Sequence, residues 1–430
     1  MHREISKCRI CGNRDLSPIL NLGEQSLTGV FPKSRNDRLT AGPLELVKCL
    51  ESKANDVCGL VQLRHSYNVG EMYGDNYGYR SGLNSSMVVH LNDVVDKALK
   101  LTDLEQDDLI IDIGSNDGTL LNAYPQSRYT YVGIDPTAEK FRKYYRADII
   151  IISDFFSAAT VTKTFGKKKA KIVTSIAMFY DLEDPLGFVR NVHDIMDDEG
   201  IWVFEQSYMP LMLERNAYDT VCHEHLEYYG LRQVKWLLDR AGMKIVDIEV
   251  NDVNGGSFKI TAAKARSLKK ECSDILRPLL ENENIYRNLA PFRLFEKNVR
   301  KHRKQLIFFL KRLCRENRTV LGYGASTKGN VILQYCGLTE KEIPYIAEVN
   351  EDKFGAFTPK TLIPIISEKE AKAMKPDYFL VLPWHFKENI LQREKDTLES
   401  GAGFIFPLPD IEIISMEGGL TKTHKITPLS

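Results

Sequence analysis

The spacing of apolar positions changes several times along the chain. MVVHLNDVVDKALKL, Met87–Leu101, repeats them at helical intervals and predicts an amphipathic helix. Beyond it, short apolar runs alternate with helical patterns. DLIIDIG precedes TLLNAYP and TYVGID precedes AEKFRKYYR; AKIVTSIAM, GIWVFEQSY, VKWLLDRAG and MKIVDIEV follow. Such alternation predicts an α/β fold with a parallel, doubly wound sheet. Residues 266–318, which include FRLFEKNVRKHRKQLIFFLKRLCREN, predict a long connecting helix with a solvated charged face. A second α/β pattern comes next: TVLGYGASTKGNVILQYCG reads as strand, Gly-rich turn and helix, and IPYIAEVN, YFLVLPW and GAGFIFPLP read as short strands. YGDNYGYRSGLNSS, Tyr73–Ser86, predicts a loop. No short-period repeat or low-complexity tract interrupts the series. The expected units are 1–66, 67–265, a connector over 266–318, and 319–430.

Length agrees with this division, since 430 residues exceed what one hydrophobic core supports. The 58 basic and 58 acidic residues cancel, so no net field favours nucleic acid or an anionic membrane. No apolar run approaches the roughly 18 residues that span a bilayer. The N-terminus, MHREISKCRICG, has no apolar signal segment. A cytoplasmic protein is expected. In that reducing compartment the eight cysteines are read as metal ligands or thiols, not disulfides.

Four of those cysteines fall in the first 58 residues: Cys8 and Cys11 in CRIC, then Cys49 and Cys58. A CxxC turn brings two thiolates to one tetrahedral zinc, and a second pair about forty residues on completes a closed structural site. The wider spacing between Cys49 and Cys58 requires a loop between ligands. His65 is a lesser substitute. Zinc would stabilise a segment whose own apolar core is slight.

LIIDIGSNDGTLL, Leu109–Leu121, is an apolar strand ending near Asp112, then Gly114, Asn116, Asp117 and Gly118 before a helix. Glycine lets backbone approach a ligand at the carboxyl end of a strand. The next strand ends in Asp135, placed to bind ribose hydroxyls. Asp154 and Phe155, in SDFF, suit an adenine. The loop is not the dinucleotide form. Its acids suit the ammonium and sulfonium of S-adenosylmethionine (SAM) better than a diphosphate.

DTVCHEHLEYYG, Asp219–Gly230, sets His223 and His225 around Glu224. Metal binding lacks a third ligand nearby, and the helical HExxH spacing is absent. In an extended segment the two histidines would share one face; in a tight turn they would not.

Together these stretches resemble the nucleotide-sugar C-methyltransferases that make branched-chain deoxysugars. The resemblance runs over nearly the whole chain through CRICG, NLGEQSL, DIGSNDGTLL, DTVCHEHLEYY, GGSF, GYGASTKGN, FTPKTLIPI and LVLPWHF. It implies a zinc-binding N-terminal module, a Rossmann-like SAM-binding middle domain and a Rossmann-like C-terminal domain. It also implies a nucleotide-diphosphate 4-keto-6-deoxyhexose substrate methylated at carbon, C-3 in the members it most resembles, and a monomer. His225 becomes the general base, with Glu224 its neighbour and Tyr79 matching an active-site tyrosine in type. Two positions depart from the better-known members: Cys222 replaces a tyrosine and Asp181 replaces a histidine. Tyr79, Tyr180 and Tyr229 are candidate donors to an enolate oxygen, and His223, Tyr229 and Asp181 join the expected substrate contacts.

The second glycine loop, Gly322–Gly329, ends a strand and begins a helix. With Gly324, Ser326 and Lys328 it is expected to receive the diphosphate. Trp384 is expected nearby, and His385 stands where the family commonly has Asn. Two other classes compete: an NAD-dependent oxidoreductase or epimerase using both Rossmann-like halves, and a zinc-stabilised sugar-nucleotide-binding protein without chemistry.

Overall fold

The computed structural model describes residues 2–50, 56–72, 79–418 and 420–426. Part of the expected loop, residues 73–78, lies outside them. The N-terminal module is an antiparallel meander of β1 (Leu16–Ser26), β2 (Ala41–Cys49) and β3 (Val61–Leu63).

The middle domain opens with α1 (Ser85–Leu101). Its N-cap Asn84 accepts from Ser86 N–H, and it buries Met87, Leu91, Val94, Val95 and Ala98. Five strands follow: β4 (Leu109–Ile113), β5 (Thr130–Ile134), β6 (Ile149–Ile152), β7 (Ala170–Ile176) and β8 (Met196–Ser207). β9 (Glu227–Tyr228), α2 (Leu231–Arg240), β10 (Met243–Asn251) and β11 (Ser257–Lys264) complete it. The sheet runs β10-β11-β8-β7-β4-β5-β6, parallel from β8 to β6. β4 is buried along its whole length, as a central strand covered on both faces must be. MKIVDIEV departs from the parallel expectation. It forms β10, antiparallel to β11, because only residues 252–256 join the two strands, too few for a crossover.

The connector is two helices, α3 (Ser273–Asn282) and α4 (Ala290–Arg315), not one. At the break, Glu283 turns inward to accept from Leu231 N–H (2.6 Å), Arg232 N–H (3.0 Å) and the Tyr208 hydroxyl (2.8 Å), capping α2. α4 keeps its charges outward and buries Phe292, Phe295, Val299, His302, Leu306, Phe309, Leu310 and Leu313.

The C-terminal domain contains β12 (Val320–Tyr323), α5 (Thr327–Cys336), β13 (Ile346–Glu348), β14 (Ile365–Ser367), β15 (Tyr378–Val381) and β16 (Gly403–Phe406). These five strands are parallel, in the order β14-β13-β12-β15-β16. The strands β17 (Glu412–Glu417) and β18 (Leu420–Lys425) extend the sheet antiparallel at one edge.

The expected boundary at residue 66 is crossed twice. β9 adds to the N-terminal sheet, giving the order β9-β3-β2-β1. Ser26 and Gln334 exchange hydrogen bonds through the Ser26 backbone (2.8 and 3.1 Å), and Asn330 donates to Thr28 O (2.8 Å). One apolar cluster joins β1–β3, residues 209–228, α4 and the C-terminal sheet.

His302 is buried at this junction. Its Nε2–H donates to Pro407 O (2.5 Å), so Nδ1 accepts from the Tyr218 hydroxyl (3.1 Å). Burial lowers its pKa to about 4, while the unfolded chain takes up a proton below about 6.5. The neutral form is the native one, so its stabilisation is complete above pH 6.5 and is lost as pH falls towards 4. Urea titrations at pH 7.5 and 4.5 should show His302→Gln losing less stability across that interval than wild type, by about 2–3 kcal/mol. Equal pH slopes for the two proteins would refute this account.

Candidate functional site

Both large sheets reverse strand order at their first strand, β4 between β5 and β7, and β12 between β13 and β15. Crevices for ligands form at the carboxyl ends of such strands. In the middle domain the crevice is a cavity of about 330 Å³. Its wall takes Asp112 from the end of β4, Gly114, Ser115 and Asn116 after it, and Asp135 and Thr137 after β5. Asp154, Phe155 and Phe156 follow β6, and Ala177, Met178 and Asp181–Glu183 follow β7. Tyr79 and Ser81 close one side.

The loop after β4 is fixed from within. Gly114 has φ +73° and Asn116 φ +49°, left-handed conformations that glycine and asparagine tolerate. Asp135 accepts from Asn116 N–H (2.9 Å) and from Thr137 N–H and hydroxyl (both 2.6 Å). Asn116 donates to Tyr79 O (3.0 Å) and accepts from Ser81 N–H (3.0 Å). Asp117 accepts from Gly82 N–H (3.0 Å) and the Thr119 hydroxyl (2.6 Å), and faces Arg80 at 3.7 Å. Asp117 and Gly118 stand behind the wall, and Asn116 and Asp117 pin residues 79–82 across it. Phe155 presents an exposed ring (56%) at the mouth, and Tyr79 is half exposed.

Asp112 is buried and accepts from the Thr174 hydroxyl at 2.6 Å. Burial, with the nearby Asp135 charge, raises its pKa to about 7 against the opposing Thr174 bond.

The HEH segment is a tight turn, His225 N–H donating to Cys222 O at 3.3 Å. The two histidines therefore point apart. His223 is fully buried against the N-terminal module, its ring edge-to-face with Tyr67 at 4.5 Å, and stands away from the cavity. Tyr229 is likewise a core residue, stacked on Phe179 at 5.2 Å. The expectation that these two contact substrate finds no opening at either position.

His225 lies on the side towards the cavity wall, without lining the cavity itself. Its ring lies 4.2 Å from that of Tyr180, which precedes the wall residue Asp181, and Leu226 N–H donates to Tyr180 O (2.8 Å). Its Nδ1 is 2.9 Å from Thr220 O. A carbonyl can only accept, so Nδ1 carries the proton and Nε2 keeps its lone pair. Burial, then the Lys328 charge, lowers the His225 pKa to about 3. Glu224 is buried beside the N-terminal module, accepting from the Thr28 hydroxyl (3.3 Å); a Cβ at Gly29 would collide with its carboxylate. Burial raises the Glu224 carboxyl and the Cys222 thiol.

The C-terminal domain closes on this segment. Lys328 Nζ donates to Asn254 O (2.7 Å), and Trp384 Nε1–H donates to Asp219 (2.7 Å). Lys328 interacts electrostatically with Asp219, Cys222, His225 and His385, collecting them at one junction. Gly324, at φ +82°, packs on Pro383, and Ser326 caps α5 by accepting from Gly329 N–H (3.0 Å). Sequence reasoning missed Thr220, which sets the His225 tautomer, and Asp219, although both lie inside the quoted motif. It also missed Ala177 and Met178 in the cavity wall.

In the N-terminal module, the sulfurs of Cys8, Cys11, Cys49 and Cys58 all lie within 4.8 Å of one another. The Cys8–Cys58 and Cys11–Cys49 pairs are at 3.5 Å. Four thiolates around zinc at about 2.3 Å require sulfur separations close to these. The residues present fit a closed structural zinc.

Three family models match in succession: a zinc binding domain over residues 8–73, a methyltransferase domain over 87–248 and a C-methyltransferase C-terminal domain over 252–409. The C-methyltransferase NovU of Streptomyces niveus is 29% identical over 97% of this chain and 99% of its own. The chain belongs to the SAM-dependent C-methyltransferases. This C-methyltransferase is an enzyme that uses SAM and binds zinc. Among solved structures, the CcbJ methyltransferase of Streptomyces caelestis matches 41% of this chain and 90% of its own at 9% identity, TM-score 0.33. The 1,6-didemethyltoxoflavin-N1-methyltransferase of Burkholderia thailandensis matches 43% and 80% at 9% identity, TM-score 0.32. Likenesses this slight carry no argument. Among the described residues no helix is long and apolar enough to cross a membrane.

Asp112 gives a pH prediction. The cationic ligand favours the ionised carboxylate, so SAM should bind more tightly as pH rises through about 7. Calorimetry at pH 6 and 8 should show about a tenfold gain, with proton release at pH 6. Asp112→Asn should abolish the dependence; retention of it in that variant would remove Asp112 as its source.

Proposed function

We propose that this C-methyltransferase methylates a carbon next to the ketone of a nucleotide-diphosphate 4-keto-6-deoxyhexose, at C-3, in the cytoplasm. The observation that carries this reading is His225: a half-buried imidazole with Nδ1–H fixed on Thr220 O and Nε2 unprotonated, next to Tyr180 at the cavity wall and within the field of Lys328 of another domain. A carbon nucleophile needs a base, and a ketone makes its α proton removable. His225 Nε2 takes that proton, leaving an enolate on the sugar. Bound SAM supplies an electrophilic methyl on a sulfonium, which the enolate carbon takes up as neutral S-adenosylhomocysteine leaves.

The other residues divide by position. Asp112, Gly114, Asn116, Asp135, Asp154 and Phe155 line the cavity that would hold SAM, with Asp117 and Gly118 shaping its loop. Lys328, with the start of α5 after Gly324 and Ser326, suits the diphosphate, because backbone N–H groups and an ammonium converge there. Trp384 and Asp219 hold the two domains at this junction. Tyr79 and Asp181, on the cavity wall, face the reacting centre from the cofactor side, and Cys222 and Glu224 flank His225 in sequence. The NovU relationship supports carbon as the atom methylated and gives no support to the NAD-dependent alternative.

His225→Ala should retain SAM binding and lose turnover by at least about 10³-fold. A panel of TDP-, GDP- and CDP-linked 4-keto-6-deoxyhexoses in deuterated water, read by mass spectrometry, tests substrate and base together. Wild type should add one methyl to one panel member. With S-adenosylhomocysteine in place of SAM it should instead exchange the α proton for deuterium. Unchanged turnover in His225→Ala would overturn the assignment of the base.

A further inference from the structure

Arg9 lies inside the zinc-binding loop, between Cys8 and Cys11, yet its side chain turns away from the thiols. That side chain is 2% exposed. Its Nη1 donates to Leu63 O (2.6 Å) and its Nη2 to the Ser66 hydroxyl (2.8 Å), while its backbone N–H donates to Gln62 (3.1 Å). These bonds fix the guanidinium along β3. Its Nε then faces two carboxylates from the middle domain, Glu227 at 3.7 Å and Glu183 at 3.6 Å.

The two acids sit at informative places. Glu227 begins β9, two residues after His225. Its side chain is fully buried, and neither oxygen has a hydrogen-bond partner among the described residues. Glu183 lies in the wall of the cofactor cavity, two residues after Asp181. The backbone links the same segments, Leu226 N–H donating to Tyr180 O at 2.8 Å. One buried cation from the zinc loop thus holds the catalytic segment and the cavity wall together. Burial pushes the Glu227 carboxyl up and the Arg9 charge opposes that, so without Arg9 the two segments lose the cation they share and the pairing that aligns them.

We infer that Arg9 is a positioning residue that transmits the rigidity of the zinc loop to His225 and to the cofactor cavity. This rests on His225 being the base. Displacement by about 1 Å can lower a rate about 10²-fold while leaving binding largely intact. The expected signature is therefore a loss in kcat without a matching loss in cofactor affinity.

The full-length, zinc-loaded enzyme decides this with Arg9→Lys and Arg9→Met. Lysine keeps the charge, but its single ammonium cannot reach both strand oxygens and both acids. Both variants should retain wild-type zinc by atomic emission and bind SAM within about fivefold of wild type. Amide exchange at residues 225–228, read by mass spectrometry, should accelerate at least about tenfold. Methyl transfer should fall about 10²-fold in Arg9→Met and less in Arg9→Lys. Glu227→Gln should resemble Arg9→Met, and the double variant should be no slower than either single one. Unchanged amide exchange, or a kcat within threefold of wild type with zinc retained, would overturn the inference. Zinc loss from both variants would also overturn it, assigning Arg9 to the metal site alone. If Arg9→Met does not fold, Arg9→Lys decides by the same criteria. Amide exchange needs no substrate, so it judges Arg9 even where the keto-sugar panel gives wild type no turnover.

Discussion

Glu227 and Tyr228 pair antiparallel with Gln62 and Val61, and the placement of the segment that carries His225 depends on that pairing. Between Glu214 and Leu231 the chain has only a single 3-10 turn and this two-residue strand. A segment so poor in regular structure cannot hold an imidazole to within a fraction of an ångström by itself. It borrows order from the N-terminal sheet, through β3, the Leu63 N–H bond to Leu226 O (2.8 Å) and the bond between Thr28 and Glu224. That sheet is small, and zinc supplies the cohesion its core lacks. Gln233 at the start of α2 donates to Cys58 O (2.8 Å), so the metal loop is bound to the helix after the motif as well. The zinc module is closed to chemistry yet is part of the scaffold on which the His225 segment is built.

The same logic explains the three-way junction. Each large sheet reverses strand order at its own switch point, and on the proposed reading neither side alone supplies base, cofactor cavity and anion site. Lys328 on Asn254 and Trp384 on Asp219 bring the C-terminal crevice onto the middle domain. The N-terminal module then wedges between them, with Gly29 against Glu224 and Thr28 against Asn330. On the proposed reading, a junction of three units would enclose sugar nucleotide and cofactor together and exclude water from the reacting bond.

How far the sequence could be read follows from the range of the interactions concerned. The strand-loop-acid arrangement around Asp112, Asn116 and Asp135 was legible because its residues act within one βα unit and the next strand. The zinc ligands were legible because CxxC is a local geometry. The direction of His223 was not, since the turn at Cys222–His225 decides it and its partner Tyr67 is more than 150 positions away. Tyr229 looked polar and available but stacks on Phe179, a contact set by tertiary packing. The break between α3 and α4 carries only a weak local signal, because Glu283 is drawn inward to cap a helix fifty residues earlier. The role of Arg9 carries no local signal, because its partners lie in β3 and in two middle-domain segments.

Burial and one lysine set the electrostatics of the junction. Cys222 is buried and its thiol is pushed up, so it stays neutral, and a neutral thiol donates hydrogen bonds weakly. On the proposed reading, the stronger donors near the reacting centre are therefore Tyr79 on the cavity wall and Lys328. Burial and Lys328 also depress His225, the latter by penalising a second positive charge. An imidazole held near pKa 3 is unprotonated but a feeble base. On the proposed reading, the remedy arrives with the substrate. A diphosphate at Lys328 would offset the charge that depresses His225 and favour its protonated form, raising its basicity once the ketone is in place. On that reading the base is free of protons before binding and stronger afterwards, through the one lysine that both groups sense.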